Sequence, residues 1–290
     1  MQLDLSRFSP AERSTLQLRV LYEGAGYRKF RCSHFEEYSL YQQNERFLSD
    51  SQVITFTDLD GKLRAIKPDV TLSIAKNAQP AAGECKKYYY TEQICRPSRE
   101  SHTFSEISQM GLECIGAVGA AEQAEVVRLA LESLASLEVP TVLEVSHMGY
   151  LFGLFDALGV PEAARAQLLE KLQQKNAHEL RAAALSAGLS ETAADALCGV
   201  LELSGSYAAT LSKAAALCRN PAMTAAVAEL TALAPTLGQA GGSIRLDLTL
   251  AGEMEYYNGL VFQGYLKALP RPLLKGGRYD LLMQKFTPGA

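Results

Sequence analysis

The chain has 290 residues, 48% hydrophobic and 21% charged, enough apolar side chains for one large core or two modest ones and too many for intrinsic disorder. With 28 basic residues against 32 acidic ones, the formal net charge of −4 leaves no electrostatic surplus for gripping a nucleic-acid backbone. No apolar run approaches the roughly 20 residues needed to cross a bilayer, and Met1-Gln2-Leu3-Asp4 has neither a basic nor an apolar leader region, so a cytoplasmic location away from membranes is expected.

The first helix is predicted from Ser9-Pro10-Ala11-Glu12, a capping box with proline at the first helical position, and should stop at Gly24 or Gly26. A strand-like run, Tyr27 to Phe35, follows. Val53 to Lys67 then reads as a hairpin turning at Asp60-Gly61. Pro68 ends its second strand, and a short helix is predicted through Val70 to Ala75. Two further strands, Lys86 to Cys95 and Glu106 to Gly116, flank a polar segment, Arg96 to Thr103, in the manner of an antiparallel sheet. Ala124, Val127, Ala130, Leu131, Leu134 and Leu137 follow helical spacing, and Val142 to Ser146 reads as a strand.

Between about Leu151 and Ala240 alanine and leucine dominate, which predicts a helical subdomain. After it, Ile244, Leu246, Leu248 and Leu250 alternate with polar residues in the period-two pattern of a sheet with one buried face. Asn258-Gly259 leads into a strand from Leu260 to Leu266, and Gly276-Gly277 precedes a final helix, Tyr279 to Phe286. The expected class is α+β. Residues 1–150 and 241–290 form one domain in this reading, and residues 151–240 form a helical insertion.

Six cysteines, Cys32, Cys85, Cys95, Cys114, Cys198 and Cys218, include no C-x-x-C pair. That fits neither a disulfide framework nor a structural zinc site, and reduced, mostly buried thiols are expected. The histidines have no spacing that gathers three metal ligands, so no metal is expected either. Phosphate-loop, dinucleotide, zincin and serine-hydrolase motifs are absent from the sequence.

The segments that can carry chemistry are polar residues at element ends. In a strand, Gln109, Gly111 and Glu113 share one face and Met110, Leu112 and Cys114 the other, so a ligand could approach the backbone at the glycine between an amide and a carboxylate. A merely solvated face is the alternative. Asp69 and Thr71, where Lys67-Pro68-Asp69-Val70-Thr71 turns into a helix, suit an amino or hydroxyl group, unless Asp69 simply caps that helix. Arg96, after Tyr88, Tyr89 and Tyr90, offers a guanidinium fork for a carboxylate or phosphate, or else a surface charge with no specific contact. Of Tyr256 and Tyr257, adjacent in a strand, one can line a pocket while the other packs, or both belong to a core. Gly276-Gly277 before a helix could bring amides to an anion, or serve as a plain turn.

Taken in order, these segments resemble the class II histidyl-tRNA synthetase catalytic domain from Phe8 to Phe286. Ile66 to Thr71 is similar to the family's R-P-E-G-T segment, Arg96 to its motif 2 arginine, Gln109 to Gly116 to Q-x-G-x-E-x-x-G, and Tyr256-Tyr257 to G-L-D-Y-Y. Gly276 to Asp280 stands as G-G-R-Y-D. The resemblance implies an antiparallel sheet flanked by helices, with a helical insertion and a histidine-sized pocket. Carried over, Asp69, Thr71 and Gln109 meet the α-amino end of histidine, Arg96 and Gln109 its carboxylate, and Glu113 with Tyr257 its imidazole.

The departures point away from an enzyme. Gly252 stands four residues before the paired tyrosines, where the synthetase pattern has an arginine, so the group expected to stabilise charge during adenylate formation is missing. Ser105 replaces an arginine expected close before Gln109, with Arg99 as a candidate substitute, and the sequence ends at Ala290 ahead of the expected glycine-rich motif 3 and anticodon-binding domain. These losses resemble the regulatory subunit family of short-form ATP phosphoribosyltransferase, as does Phe262-Gln263-Gly264-Tyr265. That resemblance implies a homodimer within a hetero-oligomer, whose partner is the short-form catalytic phosphoribosyltransferase subunit. It further implies histidine as a regulatory ligand, and no cofactor, no tRNA and no aminoacylation. The competing expectation is a synthetase-type enzyme or fragment forming histidyl-adenylate; a free-standing amino-acid-binding or scaffold protein is the third.

Overall fold

In the computed structural model, which describes residues 7–44, 53–98, 101–239, 243–251, 257–267, 269 and 271–286, helix α1 (Pro10–Gly24) begins where the capping box predicts. The Ser9 hydroxyl accepts the Glu12 N–H at 3.3 Å and the Glu12 carboxylate accepts the Ser9 N–H at 2.9 Å, so side chains satisfy donors that a helix start leaves unpaired. The run from Tyr27 to Phe35 is not one strand. Only β1 (Arg28–Lys29) and, after an irregular stretch, β2 (Phe35–Glu37) pair, and they join different sheets. Arg28, Lys29 and Arg31 are exposed, so no continuous apolar face holds the run against a single neighbour.

Helix α2 (Tyr38–Gln42) follows, then the predicted hairpin as β3 (Thr55–Thr57) and β4 (Leu63–Ile66), with Asp60 and Gly61 in the turn and β2 on the far edge of β4. Pro68 ends this segment and α3 (Thr71–Asn77) begins one residue after Val70. Strands β5 (Cys85–Pro97) and β6 (Phe104–Gly116) pair antiparallel along their whole length, from Cys85↔Gly116 to Pro97↔Phe104. The hairpin is longer than predicted. Arg96 lies within β5, opposite Ser105, and not in the connecting loop. β1 adds to β5 in parallel.

Helix α4 (Ala120–Ala135) leads to β7 (Thr141–His147), followed by α5 (Met148–Leu158), α6 (Glu162–Gln173), α7 (Ala177–Ser186), α8 (Glu191–Cys198), a short strand β8 (Ser204–Ser206), α9 (Tyr207–Ala216) and α10 (Pro221–Gln239). The chain returns through β9 (Ser243–Asp247), β10 (Leu260–Leu266), β11 (Leu274–Gly277) and α11 (Asp280–Phe286). These strands form a five-stranded sheet in the order β11-β10-β7-β9-β8. The architecture is α+β, but only the β2-β4-β3 sheet is purely antiparallel; the other two are mixed. β9 runs parallel to β7 because the helical segment between them carries the chain back to the same end of the sheet, as a parallel connection requires.

Contacts divide the chain into Met1–Gln123 with Leu281–Ala290, and Ala124–Asp280. The expected split at 150/151 and 240/241 separated the helices from their strands. Instead, Leu151, Leu154 and Phe155 of α5, Leu168 and Leu172 of α6 and Leu230 of α10 share one core with Leu143 and Val145 of β7 and Leu246 of β9. Each fully buried leucine or phenylalanine there is worth about 1.5–3 kcal/mol relative to exposure, which ties helices and sheet into one unit. Asn220 adds a polar link: its carbonyl accepts the Met223 N–H at 3.0 Å and its amide donates to the Gly153 carbonyl at 2.6 Å.

The glycine pair Gly276-Gly277 does not open a phosphate-binding turn. Both lie in β11, opposite Phe262 and Val261 of β10, and the ring of Phe262 covers Gly276 so closely that a Cβ there would collide with it; at Gly277 a Cβ would lie 2.6 Å from Cδ1 of Tyr257. The pair exists to let aromatic rings lie across the strand.

Asp247, at the end of β9, is 2% exposed and fully engaged. One oxygen accepts Lys175 Nζ at 2.6 Å and the Ser204 hydroxyl at 2.9 Å; the other accepts the Thr249 N–H at 2.9 Å and hydroxyl at 2.6 Å. Burial pushes its carboxyl up, but the hydrogen bonds from Lys175, Thr249 and Ser204 outweigh it and hold the group below the usual aspartate value. A carboxylate depressed in the folded state contributes stability that is fully present above its unfolded value, near pH 4, and is lost as pH falls through the folded one. The gap in urea midpoint between the parent and Asp247→Asn is therefore expected to narrow below about pH 4; a gap constant from pH ~6 to ~3 would show that the carboxylate's charge does not contribute.

Candidate functional site

The site is built on one face of the β5–β6 hairpin and on the β4–α3 junction, all within the first compact unit. Cross-strand partners share a face, and the register pairs Gln109 with Glu92, Gly111 with Tyr90 and Glu113 with Tyr88. The alternation predicted for Gln109, Gly111 and Glu113 is thus present, and Tyr90 joins it from the opposite strand. A Cβ on Gly111 would lie 2.5 Å from the Tyr90 hydroxyl, so glycine is what allows the phenol to cross β6 and accept the Gln109 amide N–H at 3.0 Å. Burial, with the carboxylates of Glu113 and Asp69 nearby, pushes the Tyr90 phenol well above its ordinary value and keeps it protonated.

The β4–α3 junction supplies the other groups. Thr71, the first residue of α3, donates its hydroxyl to Glu113 Oε1 at 2.7 Å, and both side chains are buried. Asp69 accepts the Leu72 N–H at 2.9 Å, as a cap would, and also lies 3.6 Å from the Arg96 guanidinium, so the capping and site readings both apply to it. Burial pushes the Asp69 carboxyl up, against the Leu72 amide and Arg96, which pull it down. Arg96 donates through Nε to the Pro68 carbonyl at 2.9 Å, which fixes its guanidinium against the same turn.

Gln109 Oε1 is buried without a hydrogen-bond partner in this structure. A buried acceptor left open is uncommon in folded proteins and marks a position where a ligand donor would be stabilised.

Beneath the junction lies a residue that sequence reasoning quoted only as part of a motif. Lys67 is completely buried, and its ammonium meets Glu92 at 2.5 Å; Glu92 also accepts the Cys32 N–H at 3.3 Å. The Lys67 backbone accepts from Cys95 and donates to His34, both at 3.2 Å, so the residue before Pro68-Asp69 is held from three directions. A charged residue preceding Pro-Asp was the only available signal, since Glu92 is 25 residues away in sequence.

The structure thus brings Asp69, Thr71, Arg96, Gln109 and Glu113 together on one surface with Tyr90. Tyr257 belongs to the second unit, where it packs over Gly277. Tyr256, Gly252 and Arg99 lie outside the described residues. Among the described residues no group of three or more His, Cys, Asp or Glu is placed to hold a metal, and no helix is long and apolar enough to cross a membrane.

One guanidinium, two carboxylates, an amide with an open acceptor and two hydroxyls form a set suited to an amino acid. The carboxylates can balance an ammonium, and an arginine can fork onto a carboxylate. The sequence profile of the family described as histidyl-tRNA synthetase matches residues 2–290. The chain belongs to the histidyl-tRNA synthetase family.

Within this family the chain is 31% identical, over 80% of its length, to a protein of Symbiobacterium thermophilum named ATP phosphoribosyltransferase regulatory subunit, covering 59% of that protein. It is 32% identical to a Bacillus licheniformis protein of the same name over 83% of its length, covering 63% of that protein. A Bacillus halodurans crystal structure described as an ATP phosphoribosyltransferase regulatory subunit/histidyl-tRNA synthetase superposes with a TM-score of 0.83 at 28% identity, covering 96% of this chain and 74% of that one. The chain spans about three fifths of the length of the two curated relatives. The class II synthetase-like fold implied by the motifs is therefore the fold observed.

Proposed function

We propose that this chain is a non-catalytic regulatory subunit of a short-form ATP phosphoribosyltransferase, binding histidine and transmitting feedback inhibition to the first step of histidine biosynthesis. The observation that carries the reading is the joint placement of Asp69, Thr71, Arg96, Gln109 and Glu113, with an open buried acceptor on Gln109, in a chain similar to proteins named as that subunit. Asp69, Thr71 and Gln109 receive the α-amino group, Arg96 and Gln109 the carboxylate, and Glu113 the imidazole. In this reading histidine is a regulatory ligand and no cofactor is used; the partner is the catalytic subunit, engaged by a homodimer of this chain. A net charge of −4 suits a protein partner better than tRNA.

The deciding experiment measures phosphoribosyl-ATP formation by a matched short-form catalytic subunit with and without this protein, and then with histidine added. Activation that histidine reverses is the expected result. Absence of activation by folded protein would sink the regulatory role.

The second reading, a synthetase-type enzyme making histidyl-adenylate, is favoured by the retained Arg96, Gln109 and Glu113 and opposed by Gly252 and Ser105 in place of arginines. Histidine-dependent ATP–pyrophosphate exchange separates the two, and clear exchange would overturn the non-catalytic assignment.

A further inference from the structure

On the face of the β5–β6 hairpin opposite Glu113, Cys85 Sγ and Cys114 Sγ lie 3.1 Å apart. Cys85 opens β5 opposite Gly116, and Cys114 lies opposite Lys87, so the sulfurs meet along a diagonal of the ladder, which strand twist brings within reach. A disulfide bond is about 2.05 Å long, so closure asks the sulfurs to approach by about 1 Å, near the end of the hairpin. Both residues are half-buried, which leaves them open to a small oxidant.

The remaining cysteines differ. Burial pushes the Cys32 thiol up to about 12, and raises those of Cys95 and Cys198 as well, while Cys218 donates to the Ala214 carbonyl at 3.5 Å. None of these four has another sulfur as a hydrogen-bonding neighbour among the described residues.

We propose that Cys85 and Cys114 are a modification site: a dithiol that a low-molecular-weight disulfide converts reversibly into an intramolecular cross-link between β5 and β6. The thiolate of one cysteine attacks a sulfur of glutathione disulfide, forming a mixed disulfide and releasing one glutathione thiolate. The second cysteine, on losing its proton, attacks the protein-side sulfur, forms the Cys85–Cys114 bond and expels the second glutathione. Two protein thiols are thereby oxidised, and one glutathione disulfide is reduced to two thiols. The new bond ties the start of β5 to the residue after Glu113, on the face away from the candidate ligand site, so it stiffens the hairpin without filling the site.

The test treats the folded chain with glutathione disulfide, blocks remaining thiols and maps peptides without reduction. A linked Cys85/Cys114 peptide is expected, with two of the six thiols lost, a thermal midpoint raised by roughly 5 °C, and full reversal by dithiothreitol. Cys85→Ser and Cys114→Ser, checked for native circular dichroism, should each abolish the linked peptide, and Cys32→Ser should retain it. A stable glutathione adduct on either cysteine without the link, a link between other cysteines, or no reaction at either position would each overturn the proposal.

Discussion

In titration calorimetry, Glu113→Ala is expected to bind histidine roughly 5- to 150-fold more weakly than the parent chain, the equivalent of losing one charged or hydrogen-bonded partner at about 1–3 kcal/mol. The carboxylate accepts the Thr71 hydroxyl at 2.7 Å in a buried setting, so its removal takes away the proposed imidazole partner and leaves Thr71 without its acceptor. Glu113→Gln separates these effects. The amide oxygen can still accept from Thr71, but the negative charge is gone, so the stability deficit should be smaller than in Glu113→Ala while the affinity loss persists. In the assay with a catalytic subunit, both variants should activate and yet resist histidine. Unchanged affinity in Glu113→Ala would remove this residue from the site.

The largest effect on stability is expected at Lys67. Its side chain is completely buried against Glu92, itself only 12% exposed, and breaking one half of a buried pair costs about 3–5 kcal/mol because the remaining charge is left without compensation. Lys67→Ala should therefore lower the denaturation midpoint more than any surface charge substitution, and should weaken histidine binding as well, since the backbone on either side of Lys67 positions Pro68 and Asp69. Replacing both partners, Lys67→Met with Glu92→Leu, removes the stranded charge and should recover most of the stability. A loss under about 1 kcal/mol in Lys67→Ala would mean that Glu92 is solvated once its partner is gone.

The elements read correctly from sequence were those whose signals are local. The Ser9 capping box, the Asp60-Gly61 hairpin and the alternation of Gln109, Gly111 and Glu113 each follow from a few consecutive residues, and each appears where expected. The run from Tyr27 to Phe35 failed as one strand because pairing depends on partner edges elsewhere: Arg28 and Lys29 find one on β5, Phe35 finds another on β4, and the residues between join neither ladder. Gly276-Gly277 failed as a loop for a related reason: two glycines in a row signal an open turn, whereas here Phe262 and Tyr257, distant in sequence, lie across them.

By itself the sequence pointed to the α+β class, the family pattern and seven candidate residues, Asp69, Thr71, Arg96, Gln109, Glu113, Tyr256 and Tyr257, because capping, alternation and motif order are properties of neighbouring residues. Only the tertiary structure decided what those residues do to one another. That Thr71 meets Glu113, that Arg96 is held by the Pro68 carbonyl beside Asp69, that Tyr90 crosses Gly111 and that a buried Lys67–Glu92 pair underlies the turn all depend on strand register and on contacts between distant residues. Periodicity places a side chain on a face but not opposite a particular partner. A shift of one residue between β5 and β6 would turn the paired side chains to opposite faces, so the register of that ladder is what turns a set of polar residues into a site.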